Sequence, residues 1–195
     1  MKADSPIKTP ADINGKTVAI VAMKTVQHAL FLEWIDKHGG DSKTVKMIEI
    51  PFPAMIGALD AGRVDVAIPS EPFVSQGRAG NRVIGNCYEA LSGPMLLFGF
   101  FATDAWLAAN ADTAAKLAAG IKTAAVWANQ HPRASAILLT RFTNLDPSVA
   151  DNMGRATYGT SLDPALIQPA IDAMLKYGFL PKPIDAADLI WKPGK

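Results

Sequence analysis

The sequence predicts an α/β protein: a βαβαβ lobe built on a parallel sheet, followed by a helical segment. Two short β-branched runs, Lys16 to Ala22 and Arg63 to Ile68, alternate with stretches whose apolar residues recur at helical spacing. After Thr103 the pattern is helical as far as Tyr177. The composition splits near residue 100, with an α/β part over 1–100 and a helical part over 101–195.

The elements follow in order. Thr9 and Pro10 start a short turn that Asn14-Gly15 closes, and Lys16 to Ala22 reads as a buried strand. A helix from Val26 to His38 sets Leu30, Phe31, Trp34 and Ile35 on one face, and Gly39-Gly40 ends it. Thr44 to Ile50 forms a second strand, Ala54 to Ala61 a helix with Met55, Ile56 and Leu59 inward, and Arg63 to Ile68 a third strand that Pro69 stops. Such alternation implies parallel strands with helices on the sheet faces. Asn81 to Gly85 suggests a further short strand, and the apolar run Met95 to Thr103 a buried one.

Five helices complete the chain: Asp104 to Asn110, Asp112 to Gln130, Pro132 to Phe142, Pro147 to about Ala156, and Pro164 to Tyr177. Asp146-Pro147 and Asp163-Pro164 each pair a capping side chain with proline in the first turn. Ile167, Ala170, Ile171, Met174 and Leu175 form an apolar stripe on the last helix, and Gly178 suits the left-handed residue beyond it.

Composition narrows the function. At 195 residues the chain can bury a real core, and 49% of its residues are apolar against 19% charged, which argues against disorder. Nineteen basic side chains against eighteen acidic ones give no footprint for nucleic acid. One cysteine, Cys87, excludes an intrachain disulfide and a cysteine-rich metal site, and His28, His38 and His131 lack ligand spacing. Nothing calls for a cofactor. Pro94 to Ala102 is too short to span a bilayer, and the start MKADSPIK lacks the apolar core of a signal peptide, so as written the chain would be expected in the cytosol.

Three motifs in order carry a resemblance to known proteins: SPIKTPADINGK at Ser5 to Lys16, ALDAGRVDVA at Ala58 to Ala67, and Glu71-Pro72-Phe73. Their spacing resembles periplasmic solute-binding proteins of the aliphatic sulfonate, taurine, nitrate and thiamine-pyrimidine-precursor group, with Ile13 for the usual Leu and Val66 for the usual Ala. The resemblance runs over nearly the whole chain and implies a type II periplasmic-binding-protein lobe. Family members carry further residues ahead of the "SPI" segment that form most of a first lobe. The expectation is therefore a truncated receptor, whose C-terminal helices would complete a first lobe missing here and, left uncovered, invite self-association.

Candidate ligand-binding residues lie where open α/β sheets place ligands, beyond the carboxyl ends of the strands. One loop is Lys24, Thr25, Val26, Gln27 and His28, joining a strand to a helix whose free amides and dipole favour an anionic or strongly polar group. Thr25 and His28 match the family pattern, whereas Lys24, Val26 and Gln27 depart from it. Thr25 reads equally as a plain helix cap. The other loop brings Ser70, Glu71 and Phe73 together, a hydroxyl, a carboxylate and a ring. Glu71 reads equally as a charge at a helix amino terminus.

By resemblance, the chain captures a small polar organic molecule or oxyanion and presents it to an ABC-type permease in the membrane, in the periplasm or another extracytoplasmic space. The partners expected are thus a small-molecule ligand and that permease, with no nucleic acid. Two other classes share the architecture: an enzyme of the thiamine-pyrimidine synthase or sulfinate hydrolase type, and the ligand-sensing half of a regulator. A single cysteine does not supply the synthase's cysteine-rich segment, and no basic helix-turn-helix segment precedes the fold.

Overall fold

The computed structural model describes residues 1–143 and 145–192. The chain divides into two compact units. The first takes residues 1–93 with 152–154 and 169–183, and the second takes 94–151, 155–168 and 184–195.

The first unit is built on a three-stranded parallel sheet. Strand β1 (Thr17–Ile20) pairs on one side with β2 (Lys46–Glu49), Thr17 opposite Lys46 and Ile20 opposite Glu49, and on the other with β3 (Val66–Ala67). The spatial order β2-β1-β3 puts the first strand in the centre. Both faces of β1 are covered, as its unbroken apolar sequence requires. Val18 joins a core with Ile13, Phe31, Trp34 and Ile35, while its neighbour Ala19 joins another with Met55, Ala58 and Leu59. Alternation along the strand therefore sends helix α1 (Val26–Lys37) and helix α2 (Phe52–Asp60) to opposite faces.

Local chemistry explains the boundaries. Asp12 accepts from the amides of Lys8 and Thr9, both at 2.9 Å, and from the Thr9 hydroxyl at 3.0 Å, so Asp12 closes the turn at Pro10–Ile13 that Thr9 was expected to cap. Asp65 accepts from the Thr17 amide at 2.8 Å and pins β3 to the start of β1. Gly15, Gly39 and Gly62 take positive φ at the three turns, a conformation glycine enters without steric cost.

Two expected strands are absent. Asn81 to Gly85 contributes only an isolated bridge between Asn81 and Lys2, because the backbone bonds made to it come from the short N-terminal segment and from Arg78 in its own turn rather than from a strand. Met95 to Thr103, expected to be buried, is irregular and open, with Phe98 82%, Phe100 81% and Phe101 99% exposed. An apolar run becomes a strand only where a neighbouring backbone can pair with it, and here the Leu96 amide reaches the Leu166 carbonyl at 2.8 Å and the Thr103 carbonyl accepts from the Leu107 amide at 3.0 Å, neither within a ladder. The short helix α3 (Phe73–Gln76) completes the first unit's series after β3.

The second unit holds α4 (Asp104–Ala109), α5 (Ala111–Gln130), α6 (Pro132–Phe142) and most of α7 (Pro147–Asn152). Asp146 accepts from the Ser148 amide at 2.8 Å, as a capping residue before proline should. The seventh helix stops at Asn152, short of the expected Ala156. Helix α8 (Pro164–Lys176) begins in this unit, capped by Asp163 through the Ala165 amide at 2.9 Å, and enters the first unit at Pro169.

There the apolar stripe of α8 finds its partner surface. Ala170, Ile171 and Ala173 are buried, Gly178 ends the helix at φ +70, and Phe179 lies on the His28 ring at 4.7 Å. A polar clamp joins the same helix to α1: Lys176 reaches Glu33 at 2.5 Å, and the Tyr177 hydroxyl donates to Glu33 at 3.1 Å and to Asp36 at 2.7 Å. Among the described residues, no helix is long and apolar enough to cross a membrane.

Candidate functional site

Because β1 and β3 are parallel neighbours, the loops after them leave the same edge of the sheet. The chain turns from β1 to β2 on one side and crosses over to β3 on the other, so this edge is the topological switch point of the first unit.

In the loop after β1, Lys24 adopts a left-handed backbone at φ +56, uncommon for a residue with a side chain. That turn lets its amide donate to Nδ1 of His28 at 3.0 Å. An Nδ1 that accepts leaves the imidazole proton on Nε2, so His28 is neutral. Burial likewise pushes the His28 pKa down. Thr25 is the N-cap of α1: its hydroxyl accepts from the His28 amide at 3.3 Å and donates to the Ala22 carbonyl at 3.1 Å. The amides of Val26 and Gln27 find no acceptor among the described residues, leaving two free donors at the positive end of a twelve-residue helix.

Gln27 is the unusual member. Only 7% of it is exposed, and its Oε1 is buried without a hydrogen-bond partner. A buried amide oxygen left unpaired costs about 1–3 kcal/mol, which a ligand donor or a rotated amide would recover. Tyr88 lies near the Gln27 and Ser70 side chains; burial raises its pKa, the neighbouring Cys87 adds to this, and those two side chains oppose it.

The loop after β3 is spoken for more fully. Glu71 accepts from the Ser75 amide and hydroxyl, both at 3.0 Å, and from the Gly154 amide at 3.1 Å. Phe73 stacks on Phe52 of α2 at 6.0 Å. The reading of Glu71 as a charge that secures a helix amino terminus thus has the two Ser75 hydrogen bonds behind it, while the Gly154 bond ties the loop to a distant segment.

Lys24, Thr25, Val26, Gln27 and His28 therefore surround one helix terminus, and Ser70, like Gln27, lies near Tyr88. Glu71 is engaged by Ser75 and Gly154, and Phe73 by Phe52. Sequence reasoning left out two residues. Glu49 ends β2 and accepts from the Met23 amide at 2.6 Å, fixing the loop that carries Lys24. Its signal was a carboxylate at the carboxyl end of a strand beside β1. Tyr88 had no local signal, since its role depends on the fold that brings it to α1. Cys87, beside it, is buried, and that burial pushes its thiol up to about 12, which keeps it protonated and a poor nucleophile.

A doubly covered parallel sheet with a polar helix terminus at its switch point has the fold of type II periplasmic binding proteins. The chain matches the periplasmic aliphatic sulphonate binding protein SsuA from Escherichia coli at a TM-score of 0.75 and 23% identity, covering 100% of this chain and 64% of that one. It also matches the alkanesulfonate-binding protein SsuA from Xanthomonas axonopodis pv. citri bound to MOPS, at a TM-score of 0.78 and 21% identity over 97% of this chain and 67% of that one. Residues 1–135 match the family described as NMT1/THI5 like, and the chain belongs to that family. It spans just under two thirds of the length of the Escherichia coli protein. No curated protein sequence matches it.

Proposed function

We propose that the chain binds a small polar organic molecule carrying an oxyanion, of the sulfonate class, at the amino terminus of α1, for delivery to an ABC-type importer outside the cytoplasm. The observation that carries this reading is Gln27: a nine-tenths buried amide with an unpartnered oxygen, set beside the free amides of Val26 and Gln27. An oxyanion suits those amides, with the exposed Lys24 ammonium adding a point charge. A donor group elsewhere on the ligand would satisfy Oε1 of Gln27. The two matched structures are of sulfonate-binding proteins, which supports the class. A binding role is favoured over cysteine chemistry because the one thiol is buried and protonated at neutral pH.

Calorimetry on the whole chain, with taurine, methanesulfonate and nitrate titrated separately, tests this. Gln27→Ala is expected to weaken sulfonate binding about tenfold or more while leaving the thermal transition of the chain in place, since a lost charge-assisted or buried hydrogen bond is worth about 1.5–3 kcal/mol. Equal affinity in wild type and variant would remove the α1 terminus from the site. Turnover of a sulfinate or pyrimidine precursor that thiol alkylation abolishes would replace the receptor reading with the enzymatic one.

A further inference from the structure

The second unit holds a cationic pocket of its own. Arg155 lies just beyond α7, and its Nη2 donates to the Ser135 hydroxyl at 2.9 Å and approaches the Tyr158 hydroxyl at 3.5 Å. Ser135 is 7% exposed and is itself held by the Pro132 carbonyl, which its hydroxyl meets at 2.9 Å. This arm of the guanidinium is thus anchored to a fixed, uncharged group. The other arm, Nη1, is shut off from solvent and has no hydrogen-bond partner.

Charge bookkeeping makes the arm unusual. The ion pairs recorded among the described residues are Lys37–Glu33, Lys116–Asp112 and Lys176–Glu33, so no described carboxylate lies within ion-pair distance of Arg155. A guanidinium stays charged at any physiological pH, and a buried nitrogen on it without an acceptor is costly.

Arg155 lines a cavity of about 180 Å³ together with Asn129, Pro132, Thr157 and Tyr158. The wall is stiff where it matters: Asn129 spends both poles of its amide on the Tyr158 backbone, donating to the carbonyl at 2.8 Å and accepting from the amide at 2.9 Å. Space for about six water volumes is too small for a drug-sized ligand but ample for a small oxyanion.

We infer that this pocket is an anion site in the helical unit, in which the guanidinium of Arg155, left short of an acceptor by the protein, pairs with a small oxyanion, a carboxylate or a tetrahedral sulfate or phosphate. The planar fork of arginine is matched to such oxygens and gives the pair direction as well as charge. The site goes beyond the reading proposed for α1: the residues of the two sites belong to different compact units, and neither requires the other.

The test uses the whole chain labelled with ¹⁵N, titrated separately with sodium sulfate, sodium phosphate and sodium acetate at constant ionic strength. The expected result is a saturable shift of the Arg155 side-chain and Tyr158 amide resonances with at least one of the three. The preferred anion tells tetrahedral from planar ligands. Arg155→Gln should weaken that binding about tenfold or more, and Arg155→Lys should restore part of it. Gln27→Ala should leave it unchanged, which separates failure of this site from failure of the α1 site. No saturable shift at Arg155 with any of the anions, or equal affinity in Arg155→Gln, would overturn the inference. The wild-type titration stands even where the Gln variant fails to fold.

Discussion

The two units of this chain bury different things. In the first, Ile13, Ile20, Leu30, Ile35, Met55 and Leu59 are wholly or almost wholly out of water. In the second, the buried apolar residues are alanines, Ala114, Ala125, Ala136, Ala150 and Ala186, while Leu117, Ile137 and Phe142 stand exposed at 54%, 55% and 85%. Both units contain regular helices. The difference shows that helix formation follows from local sequence, through caps, alanine and proline at the first turn, whereas a core needs large side chains closing on one another from distant parts of the chain.

The sharpest test compares leucines. Leu30→Ala empties a fully buried position on α1 and is expected to cost about 3 kcal/mol, and Leu117→Ala on α5 less than about 0.5 kcal/mol. Urea unfolding of both variants checks this, and equal losses would erase the contrast.

Next in size is the clamp between α1 and α8. Glu33→Gln should cost about 1–2 kcal/mol, because Lys176 and Tyr177 lose a charged acceptor. Burial works against ionised Glu33 and Asp36, yet hydrogen bonds outweigh it and hold both carboxyls below their ordinary range; Lys176, Tyr177 and Lys37 act on Glu33, and Tyr177 and Ser42 on Asp36. Their contribution is therefore full above about pH 5 and is lost as pH falls through the depressed folded values. Burial, with Asp36 and Glu33 alongside, pushes the Tyr177 pKa up, so its contribution is full below about pH 10 and is lost as pH rises beyond that. Thermal melts of wild type across pH should decline on both flanks, and Glu33→Gln should flatten the acid flank.

Smaller effects test the caps. Thr25→Ala should destabilise the first unit by about 1 kcal/mol, since its hydroxyl accepts from the His28 amide. Thr103→Ala removes the same kind of bond, to the Trp106 amide at 3.3 Å, from a six-residue helix, and should register less in the global transition. Least of all, Phe101→Ser should shift the urea midpoint by under about 0.5 kcal/mol, because a side chain 99% exposed has little burial to lose.

Much of the candidate site was legible in advance. A strand ending in a polar loop, with Thr25 before an apolar-periodic run, placed Lys24 to His28 at a helix terminus, and the structure has Thr25 capping that helix. The role of Glu71 was open between ligand contact and helix anchor, and only Ser75 and Gly154, the latter 83 residues away, show where its oxygens go. Tyr88 carries no local signal, because its place near Gln27 and Ser70 depends on the packing of the turn at Cys87–Ala90 against α1.

By itself the sequence determined the order of strands and helices from Thr17 to Ala67, the turns at Gly15, Gly39 and Gly178, and the family, because each depends on local sterics, hydrogen bonding within a few residues, or motif spacing. Tertiary structure alone decided that Met95 to Thr103 stays out of a sheet, that α8 clamps α1 through Glu33, and that one arm of Arg155 is left without an acceptor. Those outcomes turn on which backbone or side chain lies opposite, and a partner distant in sequence leaves no mark on the residues that need it.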